Sequence, residues 1–182
     1  MRSGLDSLPG ADWPAEGEEQ VALAGGAATH HEAVLSHALQ AVAACPLCET
    51  DGGLLVVRLD NCRVIRAMEP GFPAFYRVVL NAHVAEWSDL PEAEQLALMR
   101  VVNTVERTLR QLLHPTKINL AALGNVVPHL HWHVIARFDW DSHFPAPIWG
   151  QAQRVLEPGQ LSVLEHLMPR VDQAIRQCLL PW

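Results

Sequence analysis

Lysine is nearly missing from this 182-residue chain: Lys117 is the only one, and arginine supplies the other basic residues. Against twenty acidic residues the formal net charge is −7, and no stretch gathers arginines into a patch. That excludes a broad nucleic-acid footprint, which needs clustered positive charge. A phosphate-bearing ligand must then be held locally, by backbone N–H groups, histidines or a single arginine. Long apolar runs are also lacking; none approaches the ~20 residues of a membrane-spanning helix. The N-terminus lacks the basic-then-apolar order of a secretory leader, so the expected compartment is the cytoplasm. Cysteine is sparse: Cys45, Cys48, Cys62 and Cys178. A Cys-x-x-Cys pair without secretion signals points to metal or redox chemistry before structural disulfides. The 49% hydrophobic and 18% charged content fits one soluble globular domain with a substantial core.

Residues 1–28 are rich in Gly, Ala, Pro and Glu and read as a flexible extension. Val34, Leu35, Ala38, Leu39 and Val42 recur at helical spacing and predict a helix over 29–44, with His30, His31 and His37 exposed on or beside it. The main domain is expected over 45–150, with a C-terminal helical segment over 151–182. Within it, 54–58 and 62–67 read as strands joined by a tight turn at Asp60-Asn61, and 74–80 as a third. Ser88 or Asp89 would cap a long helix reaching about His114, with Leu96, Met99, Val102, Val105, Leu109 and Leu112 as its buried stripe. Strands over 118–123 and 129–138 follow, then a loop and a helix over 160–180 that Pro169 should kink or split. This order favours an α+β fold with a five-stranded antiparallel sheet.

The informative stretch is Asn125-Val-Val-Pro-His129-Leu-His131-Trp-His133-Val-Ile. A strand has a side-chain period of two, so the three imidazoles share one face, while Leu130, Trp132 and Val134 take the other. Alternate residues on a strand lie roughly 6–7 Å apart, and the outer pair about 13 Å, too far to share one metal ion. At least one histidine is therefore free for other work. A neutral imidazole attacks phosphorus well and leaves well, which suits phosphoryl or nucleotidyl transfer through the central His131. The turn Gly124-Asn125-Val126 before the strand would present backbone N–H groups to phosphate oxygens.

His129-Leu-His131-Trp-His133-Val-Ile resembles the signature of the histidine triad (HIT) family of nucleotide hydrolases and transferases, in which three histidines alternate with apolar residues. The likeness extends to Asn119, Gly124 and the strand–His83–helix order, and covers about residues 45–140. It implies a HIT-like fold and a nucleotide or dinucleotide substrate such as a dinucleoside polyphosphate or a nucleoside phosphoramidate. By this resemblance His131 attacks the α-phosphate and forms a nucleotidyl-histidine that water hydrolyses. His133 orients it, Asn119 holds geometry near the nucleophile, and Glu69 meets the ribose hydroxyls. Val126 departs from the pattern, standing five residues before the nucleophile where the family often has a hydroxyl. The Arg137-Phe138 ending resembles the dinucleoside polyphosphate hydrolase branch, and Arg137 would meet distal phosphates or face solvent.

Cys45-x-x-Cys48 alone fits zinc, a redox pair, or neither. His83 ends a strand and His129 starts one, so each is placed to complete a Cys₂His₂ set, and the resemblance assigns His129 to such a zinc. No organic cofactor is expected. The resemblance also implies a homodimer joined through the sheet, and no nucleic-acid or membrane partner is expected. Two rival readings stand beside this one: a metal-dependent hydrolase using the histidines as ligands, and a nucleotide-binding regulatory module with little turnover.

Overall fold

The structure, a computed structural model, describes residues 45–180; the expected extension and the helix over 29–44 lie outside them. A short helix α1 (Pro46–Glu49) precedes the hairpin of β1 (Leu54–Arg58) and β2 (Cys62–Arg66). Then come β3 (Phe75–Leu80), a 3₁₀ turn (Trp87–Asp89), α2 (Glu92–Leu113), β4 (Lys117–Ala121), β5 (His131–Arg137) and α3 (Pro158–Leu179). The five strands form one antiparallel sheet in the order β1-β2-β3-β5-β4.

Strand alternation sorts the residues onto two faces. Tyr76, Val78 and Leu80 of β3, with Val134 and Ala136 of β5, enter the main core beneath α2 and α3. Leu98, Val102, Val105 and Leu109 meet them from α2, and Leu164, Met168, Val171 and Ile175 from α3. Each such side chain removed from water contributes about 1.5–3 kcal/mol. The opposite face carries Phe75, Arg77 and Val79 of β3 beside His131, His133 and Ile135 of β5. It is not bare: Ile148, from the long connection between β5 and α3, packs on Phe75 and Ile135.

Tyr76 and Arg66, cross-strand partners on the helix side, both grip Asp172 of α3. The Tyr76 hydroxyl donates to its Oδ1 at 2.7 Å, and Arg66 Nε lies 3.2 Å from its Oδ2. Burial, reinforced by the Asp172 charge, drives the Tyr76 pKa upward, so the phenol keeps its proton and donates.

Several boundaries differ from the sequence expectations. Helix α2 starts after Pro91 with no side-chain cap, because Ser88 and Asp89 are spent in the 3₁₀ turn. Gln95 ties the helix to the preceding turn, its Nε2 donating to the Leu90 and Trp87 carbonyls at 2.9 and 3.2 Å. The buried stripe is also rotated: Leu98 and Val101 are buried, while Leu96 is 55% exposed. Helix α3 runs unbroken through Pro169. Strand β4 stops at Ala121, and β5 begins at His131 rather than His129.

Candidate active site and metal centre

The late start of β5 separates the three histidines. Pro128 and His129 form a tight turn, with the His129 amide donating to the Val127 carbonyl at 2.8 Å. Leu130 is then held between Val84 and Leu80 by backbone hydrogen bonds, and only from His131 does the ladder run. His129, fully buried, turns toward the Cys45–Cys48 turn.

That turn is fixed from below by Arg63 of β2. Its guanidinium, 3% exposed, donates to the carbonyls of Leu47, Thr50 and Asp51 at 2.5, 3.2 and 3.2 Å. Cys45, Cys48, His83 and His129 consequently converge, their ligand atoms all within 4.8 Å of one another. His129 Nδ1 lies 3.5 Å from both sulfurs, and His83 Nδ1 lies 3.3 Å from Cys48 Sγ. Bonds of about 2.3 Å to sulfur and 2.0–2.1 Å to nitrogen in a tetrahedron put ligand atoms roughly 3.3–3.8 Å apart, so the closest of these spacings suit a zinc-sized ion. The other His129 nitrogen, Nε2, donates to the Leu80 carbonyl at 2.7 Å, leaving Nδ1 with its lone pair toward the thiols. Leu47, Ile65 and Val79 pack around Cys45.

His131 points elsewhere. Its Nδ1 lies 2.6 Å from the His129 carbonyl oxygen, an acceptor only, so Nδ1 carries the proton and Nε2 keeps its lone pair. Burial, against that hydrogen bond and helped by the charge of Arg77, lowers its pKa, favouring the neutral ring. His133 lies beside it, with ring centroids 4.8 Å apart and the ring planes tilted by 34°. Burial, then the neighbouring His131 and Arg77, pull the His133 pKa down to about 3. A cleft of about 340 Å³ adjoins His131 and is bordered by Trp87, Gly124, Asn125 and the His129 backbone region.

The other predicted site residues are distributed around this pair. Gly124 adopts φ +65°, a conformation that a side chain would strain. Asn125 borders the cleft, but Val126 is 93% exposed and is not among its lining residues. Asn119 lies on β4 opposite Ile135, hence on the histidine face. Its Oδ1 accepts from Arg137 Nη1 at 2.8 Å, which leaves the amide N–H groups turned away from the guanidinium.

Arg137 does not face solvent; it is 1% exposed and donates to Asp141 and the Ala146 carbonyl. Those bonds occupy the Nε and Nη2 donors, leaving part of Nη1 as the remaining means of meeting a phosphate. Burial would raise the Asp141 carboxyl, but Arg137 and the amides of His143 and Phe138 outweigh it and hold the pKa below the usual range. Glu69 is exposed in the loop after β2, at the edge of a separate cavity of about 320 Å³, and its charge acts on Arg77.

Sequence reasoning did not identify Arg63, Arg77, Asp141 or Trp149. Arg77 and Arg63 stand at alternating positions of their strands, a visible signal, but only the register shows what lies across from them. The Trp149 ring sits edge-on to His133 at 5.2 Å between centroids, brought there by a loop that has no periodic signature.

A five-stranded antiparallel sheet with two helices on one face and His131 and His133 on the other defines the histidine triad class of α+β domain. The HIT domain family matches residues 52–140, and the chain belongs to that family through this domain. The sequence is 28% identical over 111 residues to a Mycobacterium tuberculosis H37Rv protein named AP-4-A phosphorylase, covering 58% of this chain and 57% of that one. The chain thus spans a little over half the length of the curated relatives it matches. Among solved structures, a histidine triad protein from Bradyrhizobium japonicum is 29% identical with a TM-score of 0.56, covering 70% of this chain and 90% of that one. One from Marinobacter aquaeolei VT8 is 28% identical with a TM-score of 0.54, covering 68% of this chain and 92% of that one.

Proposed function

We propose that this domain cleaves a nucleotide substrate at its α-phosphate, with His131 Nε2 as the nucleophile. The observation that carries the reading is the 2.6 Å bond from His131 Nδ1 to the His129 carbonyl. It holds the tautomer that attack requires, and it gives the positive charge that develops on the ring a partner as the Nε2–P bond forms. The bond from phosphorus to the leaving oxygen or nitrogen breaks with its electron pair, and the leaving group is then protonated. Water next attacks the nucleotidyl-histidine, releasing the nucleoside monophosphate and restoring the neutral ring. His133 supports the His131 ring through the tilted contact between the two rings. The outward amide of Asn119 and the backbone at Gly124 and Asn125 position the phosphate, and Glu69 binds the ribose.

Cys45, Cys48, His83 and His129 would hold a zinc ion. With four protein ligands the site is closed, and the ion would supply structural cross-linking of α1 to the β5 entrance. This arrangement counts against the metal-dependent hydrolase reading, because a catalytic ion needs an open position. Val126 favours one second reading, a nucleotide-binding module with little turnover, since no hydroxyl stands at that turn to help the leaving group. The assembly belonging to this reading is a homodimer in which an edge strand, β1 or β4, pairs across a two-fold axis. Among the described residues no helix is long and apolar enough to cross a membrane, and the cytoplasm remains the proposed compartment.

The test is a panel of diadenosine polyphosphates and adenosine phosphoramidates, with water or inorganic phosphate as acceptor, because the M. tuberculosis relative is named a phosphorylase. The expected result is release of an adenine nucleotide by wild type and none above background by His131→Ala. Equal rates in the two would remove His131 from the chemistry, and no release by either would favour the binding module.

A further inference from the structure

Register sets Arg77 of β3 directly across from His133 of β5. The two hold a cluster of buried polar atoms without a hydrogen-bond partner: Arg77 Nε, His133 Nδ1 and His133 Nε2. Buried donors and acceptors left unpaired are costly and rare, and three on facing side chains call for an explanation. A neutral imidazole always offers one donor and one acceptor, and the Arg77 Nε–H only donates, so the cluster is rich in donors.

The charges around the cluster point the same way. Arg77 lies over the Phe75 ring, 5.0 Å from its centroid. No carboxylate comes within ion-pair distance of Arg77 among the described residues; Glu69 acts on it from farther off. The other arginines on this face are engaged, Arg58 by Asp51, Arg63 by the carbonyls beneath the Cys45–Cys48 turn and Arg137 by Asp141. Arg77 therefore brings to the histidine pair a positive charge that has no ion-pair partner among the described residues and is offset only from a distance by Glu69.

We propose that Arg77 is a specificity-determining residue that receives the phosphate chain of the substrate, so that the site prefers nucleotides carrying several phosphates over those carrying one. The inference rests on the reading of this face as a nucleotide site and adds the feature that selects within that class. A guanidinium forks onto two phosphate oxygens at once, and the contact strengthens with the charge of the chain. In that complex the Arg77 Nε–H and one His133 nitrogen gain the partners they lack.

The experiment measures binding of AMP, ADP and ATP by calorimetry, without divalent cations, in a His131→Ala background that cannot turn over. With Arg77 present, affinity should rise about tenfold or more from AMP to ATP. In Arg77→Gln the rise should vanish, and in Arg77→Lys, which keeps the charge and loses the fork, most of it should vanish. An unchanged rise in either variant, or none with Arg77 present, overturns the proposal. Should Arg77→Gln fail to fold, Arg77→Lys decides alone by the same criterion. Turnover is absent by design, so this outcome is separate from that of the substrate panel: a wild type that releases no adenine nucleotide refutes the catalytic reading, whereas the phosphate-dependent rise bears on Arg77 only.

Discussion

The His129 carbonyl accepts a 2.6 Å hydrogen bond from His131 Nδ1, so the histidine in the turn before β5 sets the tautomer of the first histidine on the strand. The ring of His129 is committed elsewhere, with Nε2 on the Leu80 carbonyl and Nδ1 among the cysteines. His131→Ala should lower nucleotide release by about 10³-fold or more, the scale on which a missing nucleophile acts. His133→Ala, which removes a neighbour and not the attacking atom, should cost roughly 10–100-fold. Steady-state kinetics on one substrate checks both, and a larger loss for His133→Ala would reverse the roles.

Purified protein should contain one zinc per chain by elemental analysis. Cys48→Ser removes a ligand and should lower both the metal content and the thermal midpoint, while His131→Ala should leave the metal content intact. A chelator should act slowly, in step with loss of folded protein, since the ion would be structural and its ligand Cys45 is buried. Immediate loss of activity on chelation, with the fold unchanged, would place the metal in the chemistry instead.

The sheet, its two long helices and the shared face of His131 and His133 were legible in the sequence, because these rest on local periodicity. Five strands lie within a residue or two of expectation at most ends. What it could not carry was anything decided by register or by loop paths. The phase of the α2 stripe was missed because Leu96 and Leu98 both fit an apolar repeat, and only packing against β3 and β5 selects Leu98. The start of β5 was missed because His129 continues the alternation perfectly, although its ring is drawn off toward Cys45 and Cys48. Arg77 was invisible as a site residue since its meaning lies in facing His133. From the sequence Arg137 can face solvent or phosphate, because its partner Asp141 belongs to an irregular loop.

The Arg137–Asp141 pair leads to a prediction about acid. The Asp141 carboxyl is held below its ordinary value in the fold, so its stabilisation is fully present above the unfolded value near about 4 and is lost as pH falls through the folded value. At neutral pH Asp141→Asn should cost about 3–5 kcal/mol, since it leaves the buried guanidinium of Arg137 without its counter-charge. Between about pH 5 and pH 2 the gap between wild type and variant should shrink. Urea midpoints across that range measure it, and a constant gap would contradict the account.

His114 closes α2 in the left-handed conformation with φ +47°, where a side chain is strained and glycine is not. His114→Gly should therefore raise stability by about 0.5–1 kcal/mol without touching the site, which lies on the far face of the sheet. Thermal melts of the variant and wild type decide, and a lowered midpoint would show that the histidine ring supplies more than the strain removes.

Asp172 ties the last helix to the strand that carries Arg77. Its carboxylate takes the Tyr76 hydroxyl and the Arg66 guanidinium together, and Tyr76 precedes Arg77 directly in β3. Tyr76→Phe removes one of these bonds and should cost about 1 kcal/mol. Asp172→Ala leaves both partners behind and should cost about 2–4 kcal/mol, with Arg66 partly relieved by its residual exposure to water. Because the two changes share one network they should not add: the double variant should be no less stable than Asp172→Ala by more than a few tenths of a kcal/mol. Full additivity in a double-mutant cycle would mean that the Tyr76 hydroxyl stabilises the core independently of Asp172.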